Sequence, residues 1–143
     1  MTKFDDIAWP QIESRPVPQG QFADHYGLAK SGRPASFSEL EQMLRGGKDF
    51  TLAWCMLLDE FYLFRRVEFF AAPPSTYFDP RTRAWFAGVV EYLCHRFGLP
   101  VPCWVQQPEY FLPEPWVRSH SDTGEPEFRR RNILYNPRNL IRL

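Results

Sequence analysis

Asp79-Pro80-Arg81-Thr82-Arg83-Ala84-Trp85-Phe86-Ala87-Gly88-Val89-Val90-Glu91-Tyr92-Leu93-Cys94-His95-Arg96-Phe97-Gly98 is the stretch that decides the fold class of this chain. Asp79 is a good N-cap, and Pro80 sits at the first helical position, where a missing N–H costs nothing. Gly98 supplies the stop. Between them Trp85, Val89, Leu93 and Phe97 recur every four residues, flanked by Phe86 and Val90. That spacing predicts one helix with a single core-facing stripe. Arg81, Arg83, Glu91 and Arg96 are left largely toward solvent.

Helical signals continue upstream. Ser36-Phe37-Ser38-Glu39 has the capping-box pattern, and Phe37, Leu40, Met43 and Leu44 form a stripe that Gly46-Gly47 ends. Asp49 can cap a second helix over roughly 50–70, to be terminated by Pro73-Pro74. Leu52, Trp54, Met56, Leu57, Leu58, Phe61, Tyr62 and Phe64 make that helix apolar on nearly every side, so it is expected at the centre of a bundle. Residues 1–35, with four prolines and three glycines, read as an extended or flexible arm that Phe4, Ile7, Trp9, Phe22 and Tyr26 could pin.

Downstream of Gly98 the pattern breaks. Pro100, Pro102, Pro108, Pro113 and Pro115 alternate with Val101, Trp104, Val105, Tyr110, Phe111, Leu112 and Trp116, and no long helix survives such spacing. Short turns are expected around 102–107 and 108–112, then a polar loop over 119–125. Pro126 can open a short helix reaching Arg131, and Asn136-Pro137 can cap a last turn. No internal repeat or β-alternation stands out. The expected class is mainly α: one helical domain over 36–143, a compact bundle of about four principal helices with proline-rich irregular connections.

Composition narrows the function. At 143 residues, with 44% hydrophobic and 17% aromatic residues, the chain is far too apolar for intrinsic disorder. Net charge is zero, so no global field draws it to nucleic acid or to an anionic membrane. Residues 1–60 carry nine acids and six bases, whereas residues 118–143 carry six arginines and three acids. The two ends could pair with each other. Three cysteines without framework spacing suit a reduced, cytoplasmic chain. The first residues lack signal-peptide character, and the longest apolar run, 50–58, is too short to span a bilayer.

Catalytic motifs are not apparent. The chain has no phosphate-cradling Gly-rich loop and no nucleophile elbow, and His25, His95 and His120 stand apart. Cys94-His95 with Cys103 could ligate a metal but lacks a second close pair, and Cys94 and Cys55 read better as small core residues. Asp59-Glu60 is an acidic pair within an apolar helix. It could act as a catalytic acid pair, or as an edge paired with Arg65, Arg66 or the C-terminal arginines. These observations favour a non-enzymatic protein with neither cofactor nor metal.

The segment Glu127-Phe128-Arg129-Arg130-Arg131-Asn132-Ile133-Leu134-Tyr135-Asn136-Pro137-Arg138 is different in kind. Its arginines alternate with residues that favour burial, so the segment is expected to dock on the domain and hold a cationic surface outward. Arg129, Arg130, Arg131 and Arg138 would supply charge, Trp116 and Tyr135 apolar anchors, and Asn132 hydrogen bonds. Arginine and aromatic side chains are what interface anchors are made of, which favours a protein partner with an acidic groove. Nucleic-acid binding through the same arginines is the alternative, and purely structural capping of the domain is a third reading.

Phe69-Phe70-Ala71-Ala72-Pro73-Pro74, Phe97-Gly98-Leu99-Pro100-Val101-Pro102-Cys103-Trp104-Val105 and Glu127-Phe128-Arg129-Arg130-Arg131-Asn132-Ile133 together resemble a family of small, uncharacterised bacterial helical proteins. The resemblance covers roughly residues 37–143. It implies a helix after a double proline, a Gly-Leu-x-x-Pro-x-Trp turn and a closing Phe-Arg-Arg-Arg signature. It also implies an antitoxin-like or regulatory role beside a partner encoded by a neighbouring gene. Some members carry a helix-turn-helix ahead of the module; residues 1–35 here are too rich in proline and glycine to form one.

Overall fold

A computed structural model describes residues 32–119 and 125–141. The expected arm over 1–35 lies, but for its last four residues, outside the described residues, as does most of the expected loop over 119–125. The chain divides into two compact units, Met1–Phe69 and Phe70–Leu143, so the boundary falls inside the span expected as one domain. The described residues are mainly α, with four α-helices, four short 3₁₀ turns and two two-residue strands. None of these helices is long and apolar enough to cross a membrane.

In the first unit, α1 (Phe37–Arg45) begins as the capping box predicts. Ser36 Oγ accepts from Glu39 N at 3.1 Å. The Glu39 carboxylate reaches back one residue beyond the cap and accepts from Ala35 N at 2.8 Å. Phe37, Leu40 and Met43 are buried, and Gly47 takes the left-handed conformation that closes the turn (φ 94°).

Helix α2 (Phe50–Phe64) starts at the Asp49 cap but stops well short of residue 70. Arg65 adopts left-handed backbone angles (φ 50°, ψ 47°), and a 3₁₀ turn, Val67–Phe70, follows. The reason is aromatic packing. Phe69 folds back to meet Phe61 edge-on, with ring centroids 6.1 Å apart. On a continuing helix those residues would stand about 12 Å apart along the axis. The prolines at 73 and 74 therefore lie past the true stop. Nor is α2 buried all round: Leu52 is 53% and Leu63 44% exposed, and Asp59 also faces solvent.

The all-round burial expected of α2 is found instead on the central helix of the second unit, α3 (Pro80–Phe97). Every residue from 84 to 91 is buried, together with Leu93 and Cys94. Its ends follow the sequence. Asp79 accepts from Thr82 N at 2.7 Å, and that bond holds the carboxyl below its ordinary pKa. Gly98 is left-handed (φ 67°) and donates its N–H to Cys94 O.

Around α3 lie the 3₁₀ turns Cys103–Gln106 and Pro108–Tyr110, at the positions the prolines suggest. Trp104 Nε1 donates to Phe70 O at 2.8 Å, and its ring meets Tyr110 edge-on. After them come β1 (Trp116–Val117), α4 (Pro126–Arg129), β2 (Ile133–Leu134) and a last turn, Pro137–Leu140, capped by Asn136. The strands pair in parallel, Trp116 with Ile133 and Val117 with Leu134. Two residues are too few to show alternation, so this pairing had no readable pattern. Asn132 enters β2 from the left-handed region (φ 63°), which asparagine tolerates better than most residues.

Gly88 sets where α4 lands. A Cβ built there would lie 2.7 Å from Phe128 Cδ1 and 2.9 Å from Cε1. The Phe128 ring is fully buried against Tyr92 and Tyr135 and cannot retreat. Gly88→Ala is therefore expected to cost about 1–3 kcal/mol by overpacking. In urea unfolding, a Phe128→Leu change in the same chain should recover part of that loss.

Candidate functional site

The notch at Gly88 brings a charge cluster together. On a helix, residues three apart share a face. Glu91 follows Gly88 by three on α3, and past the end of α4 a turn in which Arg131 N donates to Phe128 O brings Arg131 back beside Phe128. With the Phe128 ring seated at Gly88, Arg131 comes onto Glu91.

The pair is interior. Glu91 is 2% exposed and Arg131 0%. Arg131 Nη1 donates to Glu91 Oε1 at 2.6 Å and to the carbonyl of Glu127 at 2.7 Å, while Nη2 donates to Val105 O at 2.7 Å. The guanidinium also lies over the Phe111 ring, 4.6 Å from its centroid. The other Glu91 oxygen accepts from Gln106 Nε2 at 2.8 Å and from Arg130 Nη2. Two expectations are corrected here: Glu91 does not face solvent, and Arg131 is not part of an outward surface. The helix pattern placed Glu91 outside because it cannot see that the C-terminal segment returns to cover that face.

Burial alone would raise the Glu91 pKa. The bonds from Arg131 and Gln106 outweigh it, and the net shift is downward. A second polar contact lies one turn along α3, where His95 Nδ1 and Glu127 Oε2 stand 2.6 Å apart.

The other expected site residues separate into two groups. Tyr135 is buried, edge-on to Trp85 and tilted against Phe128, so it is a core residue and offers no anchor to a partner. Asn132 is half-buried, and its amide donates to Leu112 O at 2.7 Å. Its hydrogen bonding holds the two strand-bearing segments together. Arg129, Arg130 and Arg138 are exposed, and Trp116 is half-exposed.

Trp116 has neighbours that the sequence reading passed over. The Arg118 guanidinium lies 4.2 Å from the Trp85 ring and 5.7 Å from Trp116, and Arg81 lies 5.9 Å from Trp116. Cation–π contacts of this kind favour the charged form near an aromatic face. Burial pushes the Arg118 pKa down, with Tyr135 and Asp79 acting against it. A legible signal existed for Arg118: two residues apart in an extended segment, it shares a face with Trp116. No such signal existed for Arg81, 35 positions away in sequence.

His25 and His120 lie outside the described residues, and the acidic pair at 59 and 60 is split. Asp59 is exposed, whereas its neighbour Glu60 is buried and accepts from Arg33 at 3.3 Å. Burial raises the Glu60 pKa against the pull of Arg33. Successive helical residues point about 100° apart, which is why this acidic pair never shares a site. Cys94 is buried, its thiol pushed up to about 11 by desolvation and by Glu91, while Cys103 is exposed. No three potential metal ligands cluster among the described residues.

No protein-family model matches the chain, and no curated protein or solved structure matches it either.

The buried pair carries a stability prediction. Arg131→Ala leaves Glu91 interior and under-compensated, and should cost about 3–5 kcal/mol in chemical denaturation. Replacing both partners, Glu91→Leu with Arg131→Met, should cost much less. A folded-state pKa below the ordinary 4.5 means the pair's contribution is complete above that value and disappears as pH falls through the lower one. Glu91→Gln should flatten this acid limb of the stability profile.

Proposed function

We propose that the chain is a non-enzymatic bacterial protein–protein interaction module, an antitoxin-like neutraliser that engages an acidic surface of a partner enzyme. The observation that supports this is the division of labour within the arginine run. Arg131 turns inward and fixes the segment to α3, while Arg129, Arg130 and Arg138 remain exposed on a backbone that this contact holds in place. An anchored arginine surrenders less conformational freedom on binding than one on a loose tail. Trp116, half-exposed beside Arg81 and Arg118, adds the aromatic contact that interface hot spots favour. Both oxygens of the buried Glu91 are engaged by Arg131, Arg130 and Gln106, which suits a scaffold better than a reaction centre. The family resemblance points the same way, toward a partner encoded next to this gene in a bacterial cytoplasm.

A second reading, a nucleic-acid-binding accessory, draws on the charge of the second unit. Residues 70–143 hold nine arginines against seven carboxylates. Phosphate contacts release counterions, so such binding would fall log-linearly with salt.

The test uses the full tagged chain and an Arg129→Glu/Arg138→Glu variant, both retained on resin from a lysate of the host. The native chain should hold one stoichiometric acidic protein, and the variant should bind that protein at least tenfold more weakly, a loss of about 1.4 kcal/mol. Equal affinity of a folded variant would reject the outward arginines as anchors. Retention of RNA or DNA in place of protein, with a steep salt response, would move the conclusion to the second reading.

A further inference from the structure

The outward face of α2 is more apolar than water requires. Leu52, Cys55, Met56, Asp59, Tyr62 and Leu63 recur at intervals of three and four, the spacing of one helical face. All six are exposed or half-exposed, Leu52 at 53% and Leu63 at 44%, while every residue between them is buried. Asp59 is the only charged residue of the six. A helix face left to solvent normally carries charge along its length. A contiguous apolar run on such a face marks an interaction surface.

A hollow of about 550 Å³ opens at the N-terminal end of this face. Met43 and Gly46 line one side of it, and Lys48, Leu52 and Met56 the other. Lys48 is exposed and forms no salt bridge among the described residues. Its neighbour Asp49 is turned to Leu52 N as the helix cap.

The spacing of these groups is self-complementary. Lys48 and Asp59 lie 11 residues apart, about 16 Å along the axis, and Leu52 and Met56 sit between them about nearly the same midpoint. A second copy of α2 laid end for end over that midpoint sets each Asp59 beside the other copy's Lys48. It also sets each Leu52 against the other copy's Met56. The same rotation carries Leu63, one turn beyond Asp59, to the side of the hollow formed by Met43 and Gly46.

We propose that this face is the interface of a two-fold symmetric homodimer, in which two copies of the chain pack α2 against α2 in antiparallel. Such a contact is isologous and closes at two subunits. An acidic or a basic partner segment would answer the charge at only one end of the face, whereas a reversed copy answers both. One helix face per copy is at the low end of specific interface sizes, so dissociation in the micromolar range is expected. The interface is independent of the partner-binding reading: α2 belongs to the first unit, and the outward arginines of the C-terminal segment belong to the second.

Sedimentation equilibrium of the full chain tests the proposal, with a concentration-dependent monomer–dimer equilibrium as the expected result. Leu52→Asp should abolish the dimer. Lys48→Glu and Asp59→Lys each bring like charges together at both ends of the contact, and each should weaken self-association at least tenfold. An equimolar mixture of those two variants pairs opposite charges at both ends again and should recover the dimer. At dilutions where every form is monomeric, Leu52→Asp should keep the thermal unfolding midpoint of the native chain, since the side chain it replaces is exposed. A native chain that stays monomeric to submillimolar concentration would overturn the proposal. So would a mixture no more associated than its two components, which would describe a different register or face. A midpoint lowered by several degrees in dilute Leu52→Asp would also overturn it, by assigning the cover of this face to the chain's own residues ahead of Gly32.

Discussion

The contact between Phe128 and Gly88 is the constraint on which the second unit depends. A glycine in the middle of an 18-residue helix costs roughly 1 kcal/mol relative to alanine in intrinsic propensity. Here it removes the one Cβ that would keep an aromatic ring off the helix surface. Seating that ring places Arg131 over Glu91 and brings Tyr135 to Trp85. It also carries residues 131–134 alongside 112–118, where Leu112 N, Trp116 N and Arg118 N donate to Arg131, Asn132 and Leu134 carbonyls. The parallel strand pair is a consequence of this docking, too short to arise by itself.

An ion pair buried to this degree is a weak source of net stability, because desolvating both charges offsets most of their attraction. Its value here lies in uniqueness. Arg131 joins three chain segments through Glu91, Glu127 and Val105, and Glu91 adds Gln106 and Arg130. A slip of the C-terminal segment along α3 would strand a carboxylate in the interior, so the cluster selects one register with a penalty that apolar contacts alone would not impose. The exposed arginines inherit their positions from the one that is hidden.

In the first unit, Arg65 holds a left-handed conformation that most side chains avoid, and the turn it makes lets Phe69 return to Phe61. Aromatic burial outweighs helix continuation there. The same sequence, rich in Leu, Met and Phe, reads as uninterrupted helix because local propensity contains no information about which distant ring will be within reach. Local cues also misjudged the two long helices as wholes. The more hydrophobic α2 leaves Leu52 and Leu63 toward solvent, while α3, with charged residues along its length, is enclosed from residue 84 to 91. Hydrophobic content measures what a helix could bury, and the number of segments folded against it decides what it does bury.

What the sequence determined by itself were features set by bonds between near neighbours. Ser36 with Glu39, Asp49, Asp79-Pro80, Gly98 and Asn136-Pro137 start or stop their elements where the residues indicate, because a cap and the N–H or carbonyl it serves lie within a few residues of each other. The mainly α class and the proline-spaced short turns follow from the same short-range chemistry. Tertiary structure alone decided the direction of each arginine. Arg129, Arg130 and Arg131 are identical in type and adjacent in sequence, yet only Arg131 is interior, because a ring three residues before it found a glycine forty residues earlier in the chain. The neighbours of Trp116 were equally hidden, since Arg81 meets Trp116, and the start of α3 meets residues 112–114, only after the chain has turned back on itself.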